Sequence, residues 1–137
     1  MNLCIDQGNS NIKIAVFDGD KIVFSTHFTE FDPERARAII QQYKIKSAIL
    51  SSVTDISGEL SGFLERNVER FIILTHETPV PIINRYKTPE LLGKDRLAAV
   101  IGAAGLMPQT DLLVIDAGTA ITYDFIDAST VYHGEIS

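Results

Sequence analysis

The sequence predicts an α/β fold: a mixed sheet with flanking helices, followed by the opening strands of a second, similar lobe. Three observations carry that expectation. Short apolar blocks and period-two alternations mark elements in the order three strands, helix, strand, helix, strand. The helix after the first three strands opens on a cap-then-proline signal, and the same device returns at Thr88-Pro89-Glu90. A strand-end pattern near the N-terminus returns close to the C-terminus.

Residues 2–6 read as a short buried strand that ends at the polar turn Gln7-Gly8-Asn9-Ser10. Ile12, Ile14 and Val16 then alternate with Asn11, Lys13 and Ala15, as a half-buried strand does. Asp18-Gly19 signals a hairpin into a third strand over 21–29. Asp32-Pro33-Glu34 supplies a cap, a proline for the first helical position and an acid for the first turn. Ala36, Ile39, Ile40 and Tyr43 give that helix its apolar stripe. A strand over 47–52, a helix over 56–67 and a strand over 71–74 follow. Residues 75–88 read as a connector, and Thr88-Pro89-Glu90 starts a short helical turn that Gly93 ends. The very apolar stretch 95–107 predicts a helix closed by Pro108, with Gly102 and Gly105 on one face for close packing. Strands resume over 112–116 and through Thr122, Asp124 and Ile126.

Composition excludes several functions. Hydrophobic residues make up 45% of the chain and charged residues 22%, enough for a packed core. A net charge of -6 argues against a nucleic-acid or anionic-membrane partner, since both demand a basic surface. Cys4 is the single cysteine, so no disulfide framework or cysteine-rich zinc site is expected. The apolar run 97–107 is too short to span a bilayer, and the first residues carry no signal-peptide pattern. A cytoplasmic location is the expectation.

The repeat points to chemistry. Ile5-Asp6-Gln7-Gly8-Asn9-Ser10 and Ile115-Asp116-Ala117-Gly118-Thr119-Ala120 share Ile-Asp-x-Gly-polar-small, each ending an apolar strand and preceding an alternating one. Such a turn sets a carboxylate beside backbone N–H groups that can cradle phosphate, and the carboxylate can hold Mg2+ through water. Two turns facing one another would grip a polyphosphate from both sides. Either turn alone reads first as a plain hairpin steadied by Asp and Asn, and it is the two matching copies at lobe spacing that favour the clamp. The repeat predicts a first lobe over 1–109 and the start of a second over 110–137. At Gly93-Lys94-Asp95-Arg96 an acid and a base meet at a helix start. They read either as a cap with a solvated arginine, or as a carboxylate aimed at an acceptor hydroxyl beside an anion clamp.

Asp6-x-Gly8-Asn9-Ser10, Gly93-x-Asp95-Arg96 and Asp116-x-Gly118-Thr119-Ala120-x-Thr122-x-Asp124, in that order, resemble the type III pantothenate kinases of the acetate kinase, sugar kinase, Hsp70 and actin superfamily. The tail Gly134-Glu135-Ile136-Ser137 resembles the start of that family's Gly-Gly-x-Ile-x-Pro-Gly segment, with His133 at the first glycine. The resemblance implies ribonuclease-H-like lobes and ATP-dependent phosphorylation of pantothenate to 4′-phosphopantothenate, the first step toward coenzyme A. It implies that Asp6, Gln7, Gly8, Asn9, Ser10, Asn11, Ile12 and Lys13 form an ATP turn, with Asp6 near Mg2+ and Thr119 contacting ATP. Tyr86, Gly93, Lys94, Asp95 and Arg96 would line the pantothenate site, with Asp95 as the catalytic acid-base residue. Asp116 would bind an activating monovalent cation, K+ or NH4+. The resemblance also implies a homodimer, and family chains that run about a hundred residues further, so these residues alone should have little or no kinase activity. Another kinase or ATPase of the superfamily, and a non-catalytic regulatory accessory factor, are the competing readings.

Overall fold

A computed structural model describes residues 1–54 and 58–136, and they form two compact units, Met1–Leu74 and Thr75–Ser137. The first unit holds β1 (Asn2–Gln7), β2 (Ile12–Asp18), β3 (Lys21–Phe28), α1 (Pro33–Gln42), β4 (Ser47–Ser52), α2 (Glu59–Asn67) and β5 (Arg70–Ile73). Its sheet has the order β3-β2-β1-β4-β5. β1, β2 and β3 run antiparallel as a meander, whereas β4 lies parallel to β1 and β5 parallel to β4. That mixture follows from the connections, since tight hairpins join antiparallel strands and helical crossovers join parallel ones. Order and sense are those of a ribonuclease-H-like lobe.

Alternation selects the buried face. Leu3, Ile5, Ile12, Ile14, Val16, Phe28, Ala48 and Leu50 form one core with Ala36, Ile39 and Ile40 of α1 and Leu60, Phe63 and Leu64 of α2. Both helices therefore share one face of the sheet. Asp32 caps α1 as expected, its Oδ1 accepting from the backbone N–H of Glu34 at 3.1 Å and of Arg35 at 3.3 Å. Ile56, the expected start of the second helix, lies outside the described residues.

The second unit holds β6 (Ile83–Asn84), a 3-10 turn (Pro89–Leu91), α3 (Lys94–Leu106), β7 (Leu112–Ala117), β8 (Ile121–Ile126) and β9 (Val131–Glu135). Its sheet has the order β6-β9-β8-β7, with β7, β8 and β9 in an antiparallel meander. Here the opening of a second lobe is realised, and the connector gains a short strand, β6, parallel to β9. Leu97 and Val100 are the buried residues of α3, which packs along β7 and β8. That packing sets α3 with the second sheet, within the compact unit that begins at Thr75. Gly102 and Gly105 were expected to receive a close neighbour, yet a β-carbon on either would meet nothing within 4 Å.

Candidate active site

In the first unit Asp6 is the penultimate residue of β1 and stands opposite Lys13 across the hairpin. The turn closes through the Gly8 N–H, which donates to the Asn11 carbonyl at 2.9 Å, leaving Asn9 and Ser10 at an exposed tip. Gln7 braces the turn: its side-chain oxygen accepts from the Ser52 hydroxyl at 2.9 Å, and its carbonyl accepts from the Val53 N–H at 3.0 Å. Ile12 is core, 5% exposed, so at a phosphate site it has only its backbone to offer. In the parallel register Asp6 lies beside Ser51, whose hydroxyl oxygen is buried without a hydrogen-bond partner. A carboxylate beside an unsatisfied hydroxyl at a phosphate-type turn suits hydrated Mg2+, which needs one or two carboxylates and takes its other ligands from water and phosphate.

The second unit repeats the device. Asp116 is penultimate in β7 and faces Thr122 across its hairpin, and the Gly118 N–H donates to the Ala120 carbonyl at 3.1 Å. Thr119 is exposed at the tip. Each copy thus ends a strand with Asp, one spacer and a glycine whose N–H folds back into the turn.

The Gly93–Arg96 motif opens α3 with Gly93 at the cap position. Asp95 is exposed in the first turn, and its Oδ1 accepts from the Arg96 backbone N–H at 2.9 Å. A β-carbon on Gly93 would come within 2.6 Å of that Oδ1, so the glycine gives the carboxylate its room. Arg96 is not a solvated cap residue. Its Nε donates to Asp124 Oδ2 at 3.0 Å and its Nη2 to Asp124 Oδ1 at 2.6 Å. The Tyr132 hydroxyl donates to the same Oδ1 at 2.8 Å. Tyr86 stacks nearly parallel on Tyr132, with ring centres 6.2 Å apart, and the Arg96 guanidinium lies 5.7 Å from the Tyr86 ring centre. On the solvent side Glu135 comes within 3.9 Å of Arg96.

The electrostatics agree with the geometry. Burial by itself would raise the Asp124 carboxyl, but the hydrogen bonds from Arg96 and Tyr132 outweigh it and hold the group below the usual carboxylate range. The bond to Asp124 keeps the Arg96 guanidinium firmly protonated. Burial first, and then the bond to Asp124, pushes the Tyr132 phenol upward.

Among the sequence-predicted residues, Tyr86, Gly93, Lys94, Asp95 and Arg96 thus gather in the second unit around the start of α3. Asp116 and Thr119 share that unit's hairpin, and residues 6–13 form the first unit's. Sequence reasoning gave no role to Asp124, Tyr132 or Ser52. The available signal was Asp124 itself, a charge at an inward position of a strand whose next inward residue is Ile126.

The family model for type III pantothenate kinase matches residues 2–136. The chain is 48% identical over 134 residues to a type III pantothenate kinase of Phocaeicola vulgatus, and 40% identical over 134 residues to one of Bacteroides fragilis. Each alignment covers 98% of this chain and 55% of the relative, so the chain spans about half the length of the curated relatives it matches. A third such kinase, from Porphyromonas gingivalis, is 38% identical over 97% of this chain and 54% of its own. With a match over nearly its whole length, the chain belongs to the type III pantothenate kinase family.

Proposed function

We propose that the protein carrying this chain transfers the γ-phosphoryl group of ATP to pantothenate, giving 4′-phosphopantothenate in the first step of coenzyme A biosynthesis. The observation that carries this reading is the start of α3, where the exposed Asp95 carboxylate adjoins an arginine held in place by a buried acid. The pantothenate hydroxyl oxygen attacks the γ-phosphorus while the bond to the departing ADP oxygen breaks, and the hydroxyl proton passes to Asp95. Because the transition state is loose, orientation of the hydroxyl by Asp95 contributes more than its strength as a base. Arg96 takes the pantothenate carboxylate with the donors that Asp124 leaves over.

The Asp6 and Asp116 turns hold the ATP phosphates in this reading, with Thr119 as a further contact. Asp6 and Ser51 are the residues suited to Mg2+, which when bound neutralises phosphate charge; Asp116 is the ligand for K+ or NH4+. Residues 1–109 and 110–137 are then the first lobe and the start of the second, in a cytoplasmic homodimer. No described helix is long and apolar enough to cross a membrane.

The test is coupled ATP turnover in a protein of the relatives' full length carrying these residues. Pantothenate-dependent ADP release is the expected result. ATP hydrolysis indifferent to pantothenate, or stimulated by another hydroxyl compound, would point to a different kinase or ATPase of the superfamily. Absence of turnover with either would favour an accessory role.

A further inference from the structure

We propose that Asp124, seconded by Tyr132, is a positioning residue for the phosphoryl acceptor, fixing the Arg96 guanidinium so that its remaining donors meet the acceptor's carboxylate. The proposal rests on the reading of Arg96 as the carboxylate clamp.

Four features of the second unit support it. Asp124 is 2% exposed, and a buried ion pair contributes little to stability compared with apolar residues of like volume. Core packing is therefore a poor reason for an acid at this point of β8. Second, the pair is two-pronged: Nε and Nη2 face one carboxylate, which fixes the plane of the guanidinium as well as its place. Third, the Tyr132 hydroxyl donates to the oxygen that already accepts from Nη2, so the carboxylate cannot turn away without breaking a bond in a fully buried setting. Fourth, Tyr86 stacks on Tyr132 and its ring centre lies 5.7 Å from the Arg96 guanidinium.

Arg96 has five N–H donors; Asp124 engages two, Tyr86 takes part of the remainder and Glu135 stands 3.9 Å from Nη2, so an anion would meet what is left beside the half-exposed Glu135. An unrestrained arginine loses rotamer freedom whenever a ligand orders it. Here the ordering is complete before a ligand arrives. Asp124 offsets the arginine's charge and Glu135 adds a second carboxylate 3.9 Å from it, so an incoming carboxylate is recognised by the direction of N–H groups and not by net attraction. This arrangement discriminates by shape, and it fails if the guanidinium is free to swing.

Steady-state kinetics in a protein of the relatives' full length decide the matter. Asp124→Asn is expected to raise the pantothenate KM about 10- to 100-fold, with kcat within about threefold and the ATP KM unmoved. Tyr132→Phe, which keeps the ion pair, is expected to raise it about three- to tenfold. Arg96→Ala combined with Asp124→Asn should be no worse than Arg96→Ala alone, because one residue acts through the other. That double variant also removes the stranded buried charge, so it and Tyr132→Phe remain informative if Asp124→Asn does not fold. In the 15N–1H spectrum the Arg96 Nε signal should lose its slow solvent exchange in Asp124→Asn. If Arg96→Ala raises KM while Asp124→Asn and Tyr132→Phe do not, or if effects of the pair simply add, positioning by Asp124 is wrong and the clamp stands. If Arg96→Ala leaves the pantothenate KM unchanged, the clamp reading itself has failed.

Discussion

Gly134 lies against Tyr86 so closely that a β-carbon on the glycine would sit 3.1 Å from the ring's Cδ2. The glycine also has φ +95°, a conformation L side chains rarely adopt. Two constraints thus coincide, one in the backbone of β9 and one in the space that the ring occupies. Tyr86 is in turn stacked on Tyr132, so a push at Gly134 reaches the group that steadies Asp124.

Gly134→Ala is therefore expected to destabilise the second unit by about 1–3 kcal/mol from backbone strain alone. The displaced Tyr86 ring should also raise the pantothenate KM. Thermal unfolding and kinetics together check this. An alanine variant with wild-type melting and wild-type KM would mean that the β9 backbone relaxes without cost.

The two Asp-x-Gly turns invite a paired experiment. Asp6→Asn and Asp116→Asn keep the size of the side chain and remove its charge. Each should lower nucleotide-dependent turnover while leaving thermal stability within about 0.5 kcal/mol, the usual range for a change that leaves packing intact. The Asp6 variant should demand more Mg2+ and the Asp116 variant more K+. Unchanged turnover in both variants at low Mg2+ and low K+ would reduce the turns to hairpins.

Much of this was legible in the sequence because local chemistry wrote it. Asp32-Pro33 declared the start of α1, and the Ile12, Ile14, Val16 alternation declared β2 and its buried face. The repeated aspartates fall at the same place, one residue before the end of β1 and of β7. What escaped is non-local. Ile83 and Asn84 become a strand only because Val131 and Tyr132 arrive alongside, and nothing in their own neighbourhood says so. The Arg96–Asp124 pair joins residues 28 apart through the packing of a helix on a sheet, which no short pattern encodes. The glycines of α3 show the opposite failure: Gly102 and Gly105 share a face as expected, but within the described residues no neighbour approaches them.

The Asp124 cluster should make part of the second unit's stability sensitive to acid. An ordinary aspartate has a pKa of about 3.9, and Asp124 is held below that in the folded chain. A depressed folded pKa contributes stability that is fully present above the unfolded value and is lost as pH falls through the folded one. The second unit should therefore lose stability below about pH 4, and Asp124→Asn should remove that part of the acid profile. Tyr132 works at the other end. Its raised pKa contributes stability below about pH 10 that drains away as pH climbs toward the folded value. Acid and alkaline unfolding followed by tyrosine absorbance give both limbs, and an acid profile identical in the Asp124→Asn variant would refute the assignment.

Asp95 and Arg96 are neighbours in sequence to which the proposed reaction gives opposite duties, and kinetics can separate them. Asp95 is exposed in the first turn of α3, tied through one oxygen to the backbone N–H of Arg96, and a β-carbon at residue 93 would press on that oxygen. In the proposed reaction its work falls at the moment of phosphoryl transfer, when the acceptor hydroxyl must point at phosphorus and give up its proton. Asp95→Asn can keep a hydrogen bond to the hydroxyl but cannot take the proton. The expected result is a kcat lower by about 10²- to 10⁴-fold with a smaller change in pantothenate KM. Gly93→Ala, which crowds the carboxylate without removing it, should lie between this variant and the wild type. Arg96→Ala removes a contact made equally in the ground and transition states, so its effect belongs in KM, with kcat nearly kept. Stability must be read alongside, because Arg96→Ala also leaves Asp124 buried without its counter-charge. A near-normal kcat in Asp95→Asn would reduce the carboxylate to a cap on α3, and the proton would then have to leave by way of solvent.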